Sequence, residues 1–136
     1  MENKASKLFK MSNPQKITIA IADDSKMMRL AIKDLIQSFG YTVIIEAENG
    51  NDLLNQLQAS ELPNACVIDI NMPGLNGFDT TFKIKQTWPS IRVLIFSFKH
   101  NQWNHKKIEA CGANAYLNKF DHPDLLREAL QNMLTP

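Results

Sequence analysis

Four short stretches of this chain are almost continuously apolar: residues 17–22 (ITIAIA), 42–47 (TVIIEA), 65–70 (ACVIDI) and 92–97 (RVLIFS). Runs of this length and character are strands buried on both faces, which is how strands of a parallel sheet read. Between them the period changes. After Asp23-Asp24, with Ser25 placed to cap, Met28, Ala31, Ile32, Leu35, Ile36 and Phe39 recur at three- and four-residue steps, one face of an amphipathic helix that Gly40 closes. Leu53, Leu54 and Leu57 mark a second helix to about residue 60, and a third runs from about 77 to 87, ending before Trp88-Pro89. A weaker helix over 102–111 closes at Gly112, a short fifth strand spans 115–117, and Asp121 or a neighbour caps a last helix with Leu125, Leu126, Ala129, Leu130 and Met133 on its buried stripe. Strand and helix alternate five times. Right-handed crossovers then predict an α/β fold, a (βα)5 doubly wound parallel sheet.

The chain's 136 residues suit one such domain. We expect residues 1–15, Lys-rich and without period, to be a flexible extension and residues 16–134 to form the domain. Charge nearly cancels, with 15 Lys+Arg against 14 Asp+Glu, so no bulk positive charge advertises nucleic acid. No apolar stretch reaches the 18 or so residues of a membrane helix, and the start lacks the apolar core of a secretory signal. Cys66 and Cys111 have no metal-type spacing and read as reduced thiols. The expectation is a cytoplasmic domain that binds neither membrane nor nucleic acid itself.

In open α/β sheets ligands bind beyond the carboxyl ends of the strands. Those ends carry Asp23 and Asp24 on the first strand, Asp69 and then Asn71 on the third, Ser97 on the fourth and Lys119 after the fifth. One Asp at a strand end is ordinarily a cap, and one Lys is ordinarily solvated. Carboxylates, hydroxyl and ammonium together at the ends of four strands ask for another explanation. Clustered carboxylates repel, which favours protonation of one or recruitment of a cation. Hard oxygen ligands completed by water suit Mg²⁺ better than Zn²⁺. A carboxylate beside such an ion and a Lys is a nucleophile toward phosphorus, and Ser97 can donate a hydrogen bond to the transferred group. The expected product is an aspartyl phosphate on Asp69. His100, His105 and His122 lack a second ligand at helical or strand spacing, so no metal role is expected for them.

The runs ITIAIADD, VIDINMPGLNGF, VLIFS and CGANAYLNK, in that order, resemble the receiver domain of two-component response regulators. The resemblance implies a flavodoxin-like, CheY-like sheet of strand order 2-1-3-4-5. It implies a phosphorylation-activated switch rather than an enzyme. A sensor histidine kinase or histidine phosphotransfer protein would pass a phosphoryl group to Asp69 with Mg²⁺. By position, Asp24 resembles the direct Mg²⁺ ligand, Asp23 one acting mainly through water, and the Asn71 backbone carbonyl the third protein ligand. Ser97 resembles the hydroxyl that follows the phosphoryl group, Lys119 the cation that pairs with it, and Tyr116 the aromatic switch. The surface of the fourth helix, fifth strand and fifth helix would change to control an output partner or a DNA-binding domain absent from these residues. A homodimer stays open, as do a stand-alone regulator and one continued by a DNA-binding domain.

Two residues depart from the family pattern. Phe120 follows Lys119 where most receivers have a cis-proline, and a non-proline cis bond costs roughly 3 kcal/mol, so a trans bond is expected. The missing proline and the stretch AYLNK lean toward receivers of LuxR/NarL-type transcription factors. Phe98 replaces a usually small residue; either it restricts access to the phosphoryl group, slowing transfer and hydrolysis, or it faces solvent or a partner. Two other functions compete. A phosphatase or phosphotransferase of the same chemistry commonly has a second Asp where Asn71 stands, and Asn cannot transfer a proton usefully. A flavin or nucleotide module needs a phosphate-cradling loop after the first strand, where ADDSKM offers carboxylates instead.

Overall fold

A computed structural model describes residues 16–98 and 104–135, so the expected extension over 1–15, His100 and the first two residues of the expected fourth helix lie outside the described residues. Five strands, β1 (Thr18–Ala22), β2 (Thr42–Ala47), β3 (Ala65–Ile68), β4 (Arg92–Ser97) and β5 (Ala115–Asn118), alternate with α1 (Lys26–Ser38), α2 (Gly50–Ala59), α3 (Gly77–Thr87), α4 (Asn104–Cys111) and α5 (Pro123–Leu134). All strand pairs are parallel, in the order β2-β1-β3-β4-β5. This is the doubly wound sheet and the order expected above.

The alternation of side chains along a strand explains the layers. Ile19 and Ile21 of β1, Ala65 and Val67 of β3, and Leu94 and Phe96 of β4 point to one face, where Ile32 and Ile36 of α1 and Leu126 and Leu130 of α5 cover them. Ala20 and Ala22, Cys66 and Ile68, Val93 and Ile95 point to the other, against Leu53 and Leu57 of α2, Phe78 and Ile84 of α3, and Cys111 of α4. Both cysteines are buried free thiols, and burial pushes Cys66 up to about 12, so it behaves as a small apolar side chain.

The helices begin where local chemistry allows. The Ser25 hydroxyl accepts from the Met28 N–H at 3.2 Å, Asn49 from Asp52 at 2.7 Å and Asn76 from Asp79 at 2.9 Å, each satisfying an otherwise orphaned donor. Gly40 and Gly112 end α1 and α4 at φ +100° and +86°, the left-handed region that a side chain disfavours.

Several expected details change. β3 leaves the sheet after Ile68 rather than at 70, because the chain turns outward to begin the loop into α3. Ala31 and Leu125 lie outward, Leu125 at 42% exposed, since each helix has only a narrow stripe facing the sheet. The cap of α5, expected at Asp121 or a neighbour, is the neighbour His122, whose Nδ1 accepts from the Asp124 N–H at 3.1 Å. Asp121 instead accepts from the Asn118 N–H at 3.1 Å, closing the turn after β5.

The N-terminus of α3 abuts the loop after β3. The Gly77 N–H donates to the Ile70 carbonyl at 2.9 Å, and a Cβ at 77 would lie 2.2 Å from the Asp69 carbonyl oxygen, inside any permitted contact. Backbone cannot yield there as a flexible side chain would. Gly77→Ala is therefore expected to cost roughly 1–3 kcal/mol through overpacking, read as a lower urea midpoint at unchanged m-value; unchanged stability would refute the close approach.

Candidate functional site

Asp23 and Asp69 stand one residue past their strands, yet the ladder still holds them. The Asp69 N–H donates to the Ala22 carbonyl at 3.0 Å, Asp23 N–H to Ala47 at 3.0 Å, and Lys119 N–H to Ser97 at 2.9 Å. These bonds carry the strand order one step further, so residues from β1, β3, β4 and the β5 end meet on one rim. The Arg29 guanidinium, reaching back from α1, donates to the Asp23 carbonyl at 2.7 Å and anchors the turn into the helix.

The side chains converge. One carboxylate oxygen each from Asp23, Asp24 and Asp69 lies within 4.8 Å of the others. Lys119 Nζ donates to Asp23 Oδ2 at 2.5 Å and lies 3.6 Å from Asp69 Oδ2. Lys119 and Asp23 are almost wholly buried, Asp69 nearly so, and Asp24 is exposed. The second Asp23 oxygen accepts from the Ser25 N–H at 2.9 Å, so this carboxylate is compensated on both sides. A cavity of about 300 Å³ opens onto Asp24, Asp69, Asn71, Ser97 and Lys119, with Phe98 on its wall.

Asp69 is less well compensated. Burial pushes its carboxyl above the usual range, and the negative charges of Asp23 and then Asp24 push the same way. The Lys119 ammonium and the Ser97 hydroxyl's hydrogen bond pull it down without cancelling the rise. The buried ammonium pairs with two of the three clustered carboxylates, Asp23 and Asp69, and the excess negative charge suits a hard cation held by oxygen.

Every expected site residue but one thus borders this cavity. Tyr116 does not: it sits half-buried in β5, paired with Ile95 and packed on the core beneath the sheet. The peptide bond from Lys119 to Phe120 is trans, as expected from the missing proline. His105 is exposed on α4 and His122 caps α5; among the described residues the one metal-capable acidic group is that of Asp23, Asp24 and Asp69. Arg29, Gly77 and the contact between Phe98 and Phe120 escaped the reading of the sequence. The signal for Gly77 was present, a glycine opening a helix eight residues after a strand-end Asp; nothing linear marked the others.

The fold and this rim define a doubly wound α/β domain of the flavodoxin-like kind with an acidic site at the carboxyl ends of its strands. The model of the response regulator receiver domain matches residues 19–131, and the chain belongs to that family. It is 36% identical over 121 residues to the nitrate/nitrite response regulator protein NarL of Escherichia coli K12, covering 88% of this chain and 56% of that protein. It is 30% identical over 115 residues to the chemotaxis protein CheY of Thermotoga maritima, covering 85% of this chain and 95% of CheY. A two-component response regulator of the LuxR family from Aurantimonas sp. SI85-9A1 superposes with a TM-score of 0.82 at 27% identity, covering 88% of this chain and 86% of that one. The chain spans about half the length of the first curated relatives it matches, transcriptional regulators among them. No described helix is long and apolar enough to cross a membrane.

The raised Asp69 carboxyl has a thermodynamic consequence. A folded-state value above the unfolded one makes the ionised form a cost that is absent below the ordinary carboxylate range and grows as pH rises through the raised value. In metal-free protein, Asp69→Asn is expected to stabilise the fold at neutral pH, with the gain shrinking as pH falls toward the ordinary carboxylate range. Urea unfolding in the presence of a chelator checks this; a destabilised variant at neutral pH would contradict it.

Proposed function

We propose that this domain is a phosphorylation-activated switch whose acceptor is Asp69. The observation that carries the reading is the undercompensated Asp69 carboxylate, 3.6 Å from a buried ammonium and opening on a cavity with Ser97 and two further carboxylates. In the transfer, an Asp69 oxygen attacks the phosphorus of an N-phosphorylated imidazole. The P–N bond breaks, its electron pair returns to the nitrogen, and the imidazole leaves neutral after taking a proton from solvent.

Each neighbour has a task that its position permits. Lys119, held by Asp23, presents fixed positive charge to the incoming phosphoryl oxygens, and Ser97 offers a hydroxyl donor beside them. Asp23, Asp24, Asp69 and the backbone carbonyl of Asn71 are the residues that would hold Mg²⁺. Bound there, the ion would offset charge on the phosphoryl oxygens. The all-oxygen donor set and its excess negative charge fit that ion. The donor is a sensor histidine kinase or a histidine phosphotransfer protein, proteins that act on the family in the cytoplasm.

Redistributed charge at Asp69 then biases Ser97 and Tyr116, and through β5 the outer surface of α4, β5 and α5. That surface controls an output partner or a DNA-binding domain. The phosphoryl group stays on the domain's own side chain, so this is a switch and not an enzyme acting on external substrates.

Incubation of the full chain with acetyl phosphate and Mg²⁺ is expected to add one phosphoryl group by intact-mass spectrometry. Asp69→Asn is expected to stay unmodified. Absence of the adduct, or an adduct that survives the substitution, would overturn the assignment.

A further inference from the structure

Phe98, on the wall of the acceptor cavity, is in ring contact with a second exposed phenyl, that of Phe120. Phe98 and Phe120 each directly follow a site residue, Ser97 and Lys119, and the parallel register of Ser97 with Asn118 brings the two together. Their ring centroids are 4.9 Å apart with planes inclined at 50°, a favourable tilted contact. Phe98 is 46% and Phe120 80% exposed, so neither is held in place by core packing. The Phe98 ring lines the same cavity as Asp69 and Ser97, and its centroid lies 5.0 Å from Lys119 Nζ.

The Lys119 side chain is only 2% exposed although it sits at the mouth of an open cavity. An ammonium is strongly hydrated, so something must stand between it and bulk water. The Phe98 face is placed to do so, and it attracts the cation through its π system. Phe120 braces that ring through the tilted contact.

We propose that Phe98, braced by Phe120, is an aromatic screen that lengthens the life of the phosphoryl group on Asp69 by limiting the approach of water. The inference rests on Asp69 being the acceptor. In the step it hinders, water oxygen attacks the phosphorus and the P–O bond to Asp69 breaks. The bonding pair stays on the carboxylate, and the water protons end on orthophosphate and in solvent. A ring on the cavity wall reduces the directions from which a small nucleophile can enter, while leaving the carboxylates and Lys119 in place.

The test loads the full chain with acetyl phosphate and Mg²⁺, removes the donor, and follows loss of the phosphoryl group by intact-mass spectrometry. Phe98→Ala is expected to shorten the half-life at least about threefold, less than the tenfold that 1.36 kcal/mol of barrier represents. Phe120→Ala should shorten it by a smaller factor, and Phe98→Leu, which keeps bulk, should restore most of the lifetime. Because both rings are exposed, thermal melts of the variants should match the wild type. Lifetimes of Phe98→Ala that equal or exceed the wild-type value would overturn the screen while leaving Asp69 as acceptor. Wild-type protein that takes up no phosphoryl group would remove the assignment of Asp69, and the screen with it.

Discussion

Lys119 places its ammonium between Asp23 and Asp69 with almost no contact with solvent, and the carboxyl edge of the sheet is organised around that charge. An uncompensated buried ion costs several kcal/mol, so neither Lys119 nor Asp23 can sit where it does without the other. They lie 96 residues apart, and the fold must bring the end of β5 to the end of β1 across β3 and β4 to join them. The compensation is incomplete: Lys119 pairs with Asp23 and Asp69, while Asp24 adds a third carboxylate to the cluster. What remains uncompensated collects on Asp69, where burial and the two neighbouring charges raise the carboxyl. A structural salt bridge would have been balanced. This one leaves negative charge over.

The sheet makes such a rim available because its faces are used up. Alternate residues of β1, β3 and β4 go to opposite layers, and helices cover both, so polar side chains have no place along the strands themselves. They gather where the strands stop. Ladder bonds that continue through Asp23, Asp69 and Lys119 give these loop residues the positional precision of strand residues. Gly77 adds to it from below, letting the start of α3 close against the Asp69 carbonyl. The position of Asp69 is thus set by backbone contacts at Ala22 and Gly77 as well as by its side-chain partners.

Much of this was legible in linear order. Continuous apolar runs marked the strands, Ser25 marked a helix start, and Gly40 and Gly112 marked helix ends, because these features depend on local conformation. The strand ends that carry Asp23, Asp69, Ser97 and Lys119 followed from the same runs. Errors came where tertiary context decides. Ile70 looks like strand yet is loop, since burial of its side chain does not require ladder pairing. Leu125 looks like core yet lies outward, since α5 offers the sheet only the stripe of Leu126 and Leu130.

The sequence by itself determined the number and kind of elements, the two-sided burial of the sheet and the set of polar residues at its carboxyl edge. All of these are consequences of period and residue type. Distances across the chain were decided only by the tertiary structure. Which carboxylate Lys119 holds, how that leaves Asp69 with the excess charge, and how Phe98 on the cavity wall comes to lie ring against ring with Phe120 depend on strand order and register. Those are properties of packed layers, and no local pattern encodes them.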